Sequence, residues 1–407
     1  MRTTGRLRFV WLMALVAIAS LALVACRGED EEDEEANVPG VTEDRILLGT
    51  HTPLTGSVAV YSPISKAVSA YFQYVNQEQG GVHGRRIEYL VEDDAYSPPQ
   101  TVQVVTKLVE QDQIFAMLNG LGTPTHEAVL DYLEESGVPD MYIASGATRW
   151  TEPLRKTVFG FQPDYVTEGT ILGTYIAESF SGRRVGLLYQ NDDFGRDGIE
   201  GLKKGIGNRA TVVAEVSYEA GAPDLSSQVL RLREAGAEVI GLYATPAQAG
   251  NAIGFAKQQG YNVPWVVSSV AGDFILRLLR PEQTAGIISI SYLKQPYETD
   301  DPDVQKHLDI LQRYGGGEQA SNFTMYGQCV AELMVETLNR AGERLTRTRL
   351  VEAAESIRDW RCSLFSDGVE VNLSESDHKP LESGYIVQAE GNQWRQVGEL
   401  INYESTQ

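Results

Sequence analysis

The sequence predicts an α/β fold built as two doubly wound lobes. From residue 45 onward, short β-branched runs alternate with amphipathic stretches of helical period, which is the pattern of βα units around parallel sheets. The chain has 407 residues, and a chain of this length divides into two α/β lobes more often than it forms one large sheet. Two less regular stretches, 146–163 and 294–317, interrupt the alternation.

The first half of the chain predicts four strands with helices between them. Strands are expected where β-branched and aliphatic residues are concentrated, at 46–51, 87–92, 114–118 and 141–144. Helices are expected at 64–79, 100–110 and 125–135. Glycines at 80 and 81 end the first helix, prolines at 98 and 99 begin the second, and Gly137 ends the third.

The second half continues the same pattern and then becomes rich in turns. Strands are expected at 185–190, 212–216, 239–243, 265–267 and 287–290, and helices at 167–180, 225–235 and 247–259. Asp164 and Asp224 mark helix starts, and Gly260 marks a helix end. The C-terminal part predicts a helix at 326–338 and strands near 383–388 and 393–398.

Composition excludes one class of function. The 34 Lys and Arg residues face 56 Asp and Glu residues, for a net charge of −22. Nucleic acid is held by basic residues that displace counterions, so no nucleic-acid partner is expected.

The chain begins like an exported lipoprotein. Residues 1–25 hold three arginines, no acid and an apolar run from residue 9, which is the layout of an export signal peptide. Leu23-Val24-Ala25-Cys26 resembles the bacterial lipobox, whose cysteine becomes the lipid-bearing first residue of the mature chain. A retained transmembrane anchor is the alternative, because the apolar run reaches the shortest length that spans a bilayer. The resemblance implies a protein anchored through Cys26 to the outer face of a bacterial membrane.

An acidic segment follows the cysteine. Seven consecutive acids, Glu29 to Glu35, repel one another and cannot be buried together. Residues 26–43 therefore predict a lipidated cysteine followed by an extended tether.

Five segments along the body carry a family resemblance. They are Gly49 to Gly56, Asn76 to Gly84, Glu92 to Ala95 followed by Pro98, Ser145 to Thr148, and Asn191 to Gly195. Their order and spacing resemble the extracytoplasmic solute-binding proteins of ABC importers, of the branched-chain amino acid type with the type 1 periplasmic-binding fold. The resemblance covers about residues 44 to 400. It implies lobes joined by three crossovers, with lobe one at 44–163 plus 294–382 and lobe two at 164–293 plus 383–407.

The segment from Asn119 to Thr125 predicts a carboxylate site. It follows a strand and opens a helix, where free backbone amides and the hydroxyl of Thr123 or Thr125 can hold an anion. A threonine that only caps the helix is the alternative. By resemblance, Thr123 supplies a hydroxyl to the ligand carboxylate, Ala147 and Thr148 form a second carboxylate-holding loop, and Tyr61 forms an aromatic wall.

Two positions depart from the family pattern. Phe194 stands where the family presents a tyrosine, and Ser269 stands where it presents the glutamate that neutralises the ligand ammonium. A buried ammonium without a counter-charge costs several kcal/mol. Either another acid serves, with Asp164, Asp193 and Asp273 as candidates, or the ligand lacks an ammonium group. Amides, short-chain acids and aromatic acids then join the branched-chain amino acids as possible ligands.

The resemblance implies a binding protein that closes two lobes around a small ligand and delivers it to the subunits of an ABC permease. A sensor subunit with the same lobes is an alternative. A nucleotide-dependent enzyme is another, because Gly120-Leu121-Gly122 follows a strand, although the third glycine of that motif is absent. The five histidines and the cysteines show no metal-ligand spacing, so neither enzyme activity, a metal nor a cofactor is expected.

Two further cysteines leave a disulfide open. Export permits a bridge between Cys329 and Cys362, and a buried thiol is the alternative. The bridge known in the family joins positions occupied here by Tyr96 and Gly122, so the resemblance does not supply the pairing.

Overall fold

The computed structural model describes residues 38–56 and 58–403, apart from the side chain of residue 273. The predicted signal peptide, the lipidated Cys26 and the acidic run lie outside the described residues, so those interpretations remain predictions. Within the described part of the chain, no helix combines the length and apolar character needed to cross a membrane.

The first sheet has five parallel strands in the order β2-β1-β3-β4-β5. The strands are β1 (Arg45–Thr52), β2 (Arg86–Asp93), β3 (Ala116–Leu118), β4 (Asp140–Ile143) and β5 (Val158–Gly160). Four helices lie between them, namely α1 (Pro63–Glu78), α2 (Pro98–Thr106), α3 (Thr123–Glu127) and α4 (Leu130–Glu135). A π-helical turn, Lys107–Gln111, continues α2.

The second sheet has seven strands in the order β12-β11-β10-β9-β8-β6-β7. The strands are β6 (Arg184–Gln190), β7 (Thr211–Tyr218), β8 (Val239–Tyr243), β9 (Trp265–Val267), β10 (Ile288–Ser291), β11 (Ser383–Glu390) and β12 (Gln393–Asn402). Strands β6 to β10 pair in parallel, whereas β11 pairs antiparallel with both β10 and β12. The helices of this part are α5 (Tyr165–Ser179), α6 (Asp193–Ile206), α7 (Ser226–Glu234), α8 (Pro246–Gln258), α9 (Ser269–Leu278) and α10 (Pro281–Thr284).

Three helices between β10 and β11 return to the first sheet. They are α11 (Pro302–Tyr314), α12 (Asn322–Ala341) and α13 (Arg347–Glu355), and their buried residues share one hydrophobic core with the first sheet. We call the first sheet and the helices packed on it the first lobe, and the second sheet with α5 to α10 the second lobe. The chain therefore passes between the lobes after β5, after β10 and before β11.

The two cysteines of the first lobe are bonded to each other. Cys329 on α12 forms a disulfide with Cys362, which follows α13. The bridge resolves the alternative that the sequence left open. It ties the longest described helix of the lobe to the turn-rich segment leading into β11.

The predicted helix at 125–135 is wrong as one continuous element. Its residues form α3 and α4, which are separated at Ala128 and Val129. The amides of Ala128 and Val129 donate to carbonyls three residues back rather than four. This tightening ends α3 after only five residues and starts a new helix at Leu130.

Candidate ligand-binding site

A cavity of about 110 Å³ lies between the two lobes. Its wall includes residues that follow β2, β3, β4 and β5 of the first lobe and β8, β9 and β10 of the second, together with residues of α1, α6, α12, β11 and β12. Ligands of doubly wound sheets bind at this end of the strands. A single water molecule needs at least roughly 10–15 Å³ of such space, so the cavity is several times larger than the space for one water.

The wall of the cavity is aromatic and uncharged. Eight aromatic side chains contribute, namely Tyr61, Tyr96, Tyr165, Phe194, Tyr292, Phe323, Tyr326 and Trp394. The other lining residues are aliphatic or carry small polar groups, and none of the described lining residues is Asp, Glu, Lys, Arg or His. Such a wall suits an apolar ligand body with a few polar groups at fixed places.

A pair of hydroxyls lies at the wall of the first lobe, where Thr123 lines the cavity. Thr123 Oγ1 lies 2.8 Å from Ser145 Oγ, so one hydroxyl donates to the other. When Ser145 donates, Thr123 keeps its own proton, which it can donate to a ligand oxygen in the cavity. The helix that begins at Thr123 is only five residues long, which makes the hydroxyls more important than the helix dipole.

A buried histidine pair supports the loop that carries Thr123. His51 Nε2 lies 2.8 Å from His126 Nδ1, and the outer nitrogens contact Asp94 Oδ2 at 2.8 Å and Asp140 Oδ2 at 2.6 Å. All four side chains are fully buried. A Cβ at Gly120 would lie 2.5 Å from His126 Nδ1, so only glycine lets the loop pass over the two rings.

A buried acid stands behind the wall in the second lobe. Ser269 lines the cavity, and its hydroxyl donates to Glu168 on α5. The Ser269 amide also donates to Glu168 Oε1, at 3.3 Å. Glu168 is 1% exposed, and burial raises the pKa of its carboxyl above the ordinary value.

Four of the predicted site residues line the cavity. Tyr61 and Thr123 contribute from the first lobe, and Phe194 and Ser269 from the second. Phe194 sits edge-on to Tyr165, with 4.9 Å between ring centroids. The position that loses the hydroxyl of the family's tyrosine therefore still presents a packed ring.

Three of the predicted residues lie outside the cavity wall. Thr125 is fully buried, and its Oγ1 donates to the Leu121 carbonyl at 2.7 Å, so the hydroxyl is turned back onto the preceding turn. Ala147 is buried in the core beside α5. The amide of Thr148 donates to Asp197 Oδ2 at 2.8 Å, across the contact between the lobes.

The acids considered as counter-charges have other partners. Asp164 caps α5 by accepting from the amide and the hydroxyl of Thr167 at 2.9 and 2.6 Å. Asp193 Oδ2 pairs with Arg149 Nε at 2.6 Å. The side chain of residue 273 lies outside the described groups.

The sequence does not predict Glu168 as a site residue. An acid in the first turn of a helix is ordinary, and no sequence signal distinguishes this buried acid from a surface acid.

Several contacts join the lobes at the edge of the cavity. Tyr61 Oη donates to the Val270 carbonyl at 3.4 Å. Asp197, which accepts from the Thr148 amide, is half-buried, and this burial raises the pKa of its carboxyl to about 6, while the hydrogen bond opposes the shift. Together with the pair of Arg149 and Asp193, these contacts hold the lobes against each other.

Among the described residues, no cluster of three or more His, Cys, Asp or Glu side chains could hold a metal ion.

Comparison with known proteins places this geometry in context. A family model described as periplasmic binding protein matches residues 45–393. A leucine-, isoleucine-, valine-, threonine- and alanine-binding protein of Pseudomonas aeruginosa is 22% identical over 301 residues, which cover 74% of this chain and 79% of the relative.

Two solved structures share the architecture. A branched-chain amino acid ABC transporter protein from Thermus thermophilus, with bound valine, has a TM-score of 0.80 at 21% identity, covering 90% of this chain and 99% of its own. A fatty acid ABC transporter substrate-binding protein from Thermomonospora curvata has a TM-score of 0.76 at 25% identity, covering 89% and 94%.

The fold and the family match agree with each other. The mixed α/β architecture with parallel sheets is that of type 1 periplasmic binding proteins, which confirms the predicted fold class. The family model covers most of the chain, from β1 to the start of β12. The chain therefore belongs to the periplasmic binding protein family.

Proposed function

We propose that this chain is the substrate-binding component of an ABC importer. It captures a branched-chain amino acid or a related small carboxylate or amide outside the cytoplasm and delivers it to the permease subunits. The observation that carries the proposal is the aromatic, uncharged cavity between the carboxyl ends of the strands of both lobes. Similarity to an amino acid-binding protein and to a fatty acid ABC transporter substrate-binding protein supports a small organic acid as the ligand.

Capture follows from the division of the cavity between two lobes. Tyr61 and Thr123 provide a surface on the first lobe to which a carboxylate binds first. Phe194 and Ser269 then contact the same ligand from the second lobe. Contacts that exist only when both lobes touch the ligand supply the free energy that favours closure. The permease binds the closed form, in which the two lobes contact each other.

The proposed location follows from the N-terminal sequence. Cleavage before Cys26 and lipidation of its thiol anchor the protein to the outer face of the membrane, and the acidic tether spaces the lobes from the lipid. The disulfide between Cys329 and Cys362 is compatible with an oxidising compartment outside the cytoplasm.

A thermal-shift panel tests the binding function. Purified protein is heated with branched-chain amino acids, their amides, short-chain acids and aromatic acids in turn. A ligand at a hundred times its Kd stabilises the folded state by about 2.7 kcal/mol, so a true ligand raises Tm by several degrees. A panel in which no compound raises Tm, or in which any compound is chemically converted, contradicts the proposal.

The variant Thr123→Val adds a site-specific control to the panel. Valine keeps the shape of threonine and removes its hydroxyl. A hydrogen bond to a charged group contributes about 1.5–3 kcal/mol, so the affinity for a carboxylate ligand should fall about tenfold or more. Thr123→Ser restores the hydroxyl and should restore most of the affinity in isothermal titration calorimetry. Equal affinities for the valine and serine variants would contradict the placement of the carboxylate.

A further inference from the structure

Glu168 is a buried carboxyl group without a cationic partner among the described residues. It lies on the first turn of α5 and is 1% exposed. Its hydrogen-bond donors include the amide and the hydroxyl of Ser269, at the start of α9. Burying a carboxylate without a positive charge costs free energy. A buried Glu168 beside a ligand cavity therefore indicates a role in ligand binding.

The contact with Glu168 sets the direction of the Ser269 hydroxyl. A serine hydroxyl has one proton and two lone pairs. The proton is used in the donation to Glu168 Oε2, so the lone pairs are what Ser269 offers to other groups. Because Ser269 lines the cavity, the second lobe presents a hydrogen-bond acceptor to the ligand at this point.

We propose that Glu168 and Ser269 together form the subsite that selects a ligand bearing a hydrogen-bond donor, on the other lobe from the Thr123 hydroxyl proposed to bind the carboxylate. The donor is an amino, amide or hydroxyl group of the ligand, and Glu168 acts as the positioning residue that keeps Ser269 an acceptor. This inference rests on the proposed function and adds a specificity-determining residue to it. It also accounts for the absence of an acid at position 269, since the negative charge stands one side chain farther back.

The charge of Glu168 links this subsite to pH. Burial raises the pKa of the carboxyl, and hydrogen bonds from Ser269, Ser268 and Tyr243 partly oppose that shift. Tyr165, Tyr243 and Tyr292 are the titratable groups that face it from α5, β8 and the segment after β10. Burial raises the pKa of each of these tyrosines, so they remain neutral.

A ligand ammonium near Ser269 stabilises the ionised form of Glu168 and lowers its pKa in the complex. Binding of an ammonium-bearing ligand therefore releases a proton, and its affinity rises as the pH rises through the titration of Glu168. A ligand without a donor gains nothing from this ionisation.

Matched pairs of probes test the inference. Leucine is compared with 4-methylpentanoate, which lacks only the ammonium group, and 4-hydroxybenzoate is compared with benzoate. Isothermal titration calorimetry of the full mature chain should show the donor-bearing member of the binding pair favoured by about tenfold or more. Glu168→Gln and Ser269→Ala should each reduce the ratio to below about threefold.

Controls separate specificity from folding. Glu234→Gln removes the same charge from an exposed position on α7 of the same lobe and should leave the ratio unchanged. Thermal unfolding of Glu168→Gln checks the fold, and Ser269→Ala gives an independent reading if that variant is unstable. For leucine, the wild-type preference should also increase between pH 5 and pH 8, and this increase should be absent in Glu168→Gln.

The outcomes distinguish the two proposals. Binding of a probe pair with equal affinities, or a ratio that Glu168→Gln and Ser269→Ala both leave intact, overturns the inference while the binding function stands. If no probe and no member of the thermal-shift panel binds the wild-type protein, the proposed function fails and the inference falls with it.

Discussion

At the scale of single residues, the proton count of the buried histidine cluster is fixed by its geometry. Each of the three contacts in the chain from Asp94 through His51 and His126 to Asp140 needs one hydrogen. Two neutral imidazole rings supply only two hydrogens. The cluster therefore holds one additional proton against two carboxylates, and its net charge is −1.

The protonation of His51 differs between the folded and the unfolded chain. Burial lowers the pKa of His51, and its hydrogen bond to Asp94 opposes that shift only in part. In the unfolded chain, His51 takes up a proton at a pKa of about 6.5. The unfolded state therefore binds more protons than the folded state below that pH, and stability is lost as the pH falls, until the folded pKa is also passed.

The expected result is a free energy of unfolding that decreases below pH 6.5, by at most about 1.4 kcal/mol per pH unit for this residue. Urea unfolding at pH 5, 6, 7 and 8 measures it. His51→Asn should show a shallower decrease than the wild type. His83→Asn, at an exposed histidine with a positive φ that asparagine tolerates, should keep the wild-type decrease. Identical slopes for wild type and His51→Asn would show that the cluster is not the acid-sensitive element.

Residue-level prediction from the sequence depended on a strand or a family match that fixed a position along the chain. Thr123 follows a strand that the pattern of β-branched residues located, Ser269 was named through the family resemblance, and both line the cavity. Glu168 and Trp394 could not be anticipated in this way. Their approach to the cavity depends on the packing of α9 against α5 and on the hairpin of β11 and β12, which no local pattern records.

At the scale of secondary-structure elements, the close pairing of α5 and α6 places the residues of the second lobe. Glycines, which have no side chain, lie along the contact, so the two helix backbones touch directly. A Cβ at Gly169 would lie 2.5 Å from the Gly198 carbonyl oxygen, and one at Gly201 would lie 2.3 Å from that of Val166. This contact brings Tyr165 and Glu168 on α5 into fixed positions relative to Phe194 on α6.

Gly169→Ala should destabilise the second lobe because the added methyl group must push two backbones apart. Overpacking of this kind costs about 1–3 kcal/mol in the free energy of unfolding. Gly254→Ala on α8 is the matched control, since the nearest atom to its added Cβ is a Leu279 methyl group at 3.6 Å. Alanine there should be neutral or stabilising by up to about 1 kcal/mol. Chemical denaturation compares the two, and a Gly169→Ala variant as stable as Gly254→Ala would contradict the close-packing argument.

Elements were predictable where they were long and periodic. Each strand predicted from the β-branched runs overlaps an observed strand. Strand β5 was missed because its three residues lie within an irregular stretch and are ordered by pairing with β4 rather than by their own pattern. The division between α3 and α4 was missed for a related reason. The burial of His126 against His51 depends on a residue 75 positions away, which the helical period does not register.

At the scale of the whole molecule, the fold places one functional surface on each of two lobes. The three passages of the chain between the lobes hold their cavity faces opposite each other. Direct contacts between the lobes include the ion pair of Arg149 and Asp193, the hydrogen bonds of Thr148 with Asp197, of Tyr61 with Val270 and of Arg277 with Ala320, and the stacking of Phe274 on Phe323. A ligand adds contacts to both lobes and is therefore expected to contribute to the free energy of closure beyond these contacts.

The ion pair of Arg149 and Asp193 gives this expectation a measurable form. The side chains are 39% and 19% exposed, and exposed pairs contribute about 0.2–1 kcal/mol. Arg149→Gln should therefore weaken binding of whichever panel ligand raises Tm by no more than about fivefold. The loss should be largest at low ionic strength, because salt screens exposed charges over a Debye length of about 10 Å at 0.1 M.

Titration calorimetry at about 20 mM and about 500 mM NaCl measures the loss of affinity and its dependence on salt. Exposed charges are weakly screened at the lower concentration and strongly screened at the higher one. Arg155→Gln is the control, because Arg155 pairs with Asp131 and Glu134 within the first lobe. It should change stability slightly and affinity not at all. If Arg149→Gln abolishes binding at high salt, the direct contacts between the lobes rather than the ligand supply the free energy of closure, and the expected contribution of the ligand is contradicted.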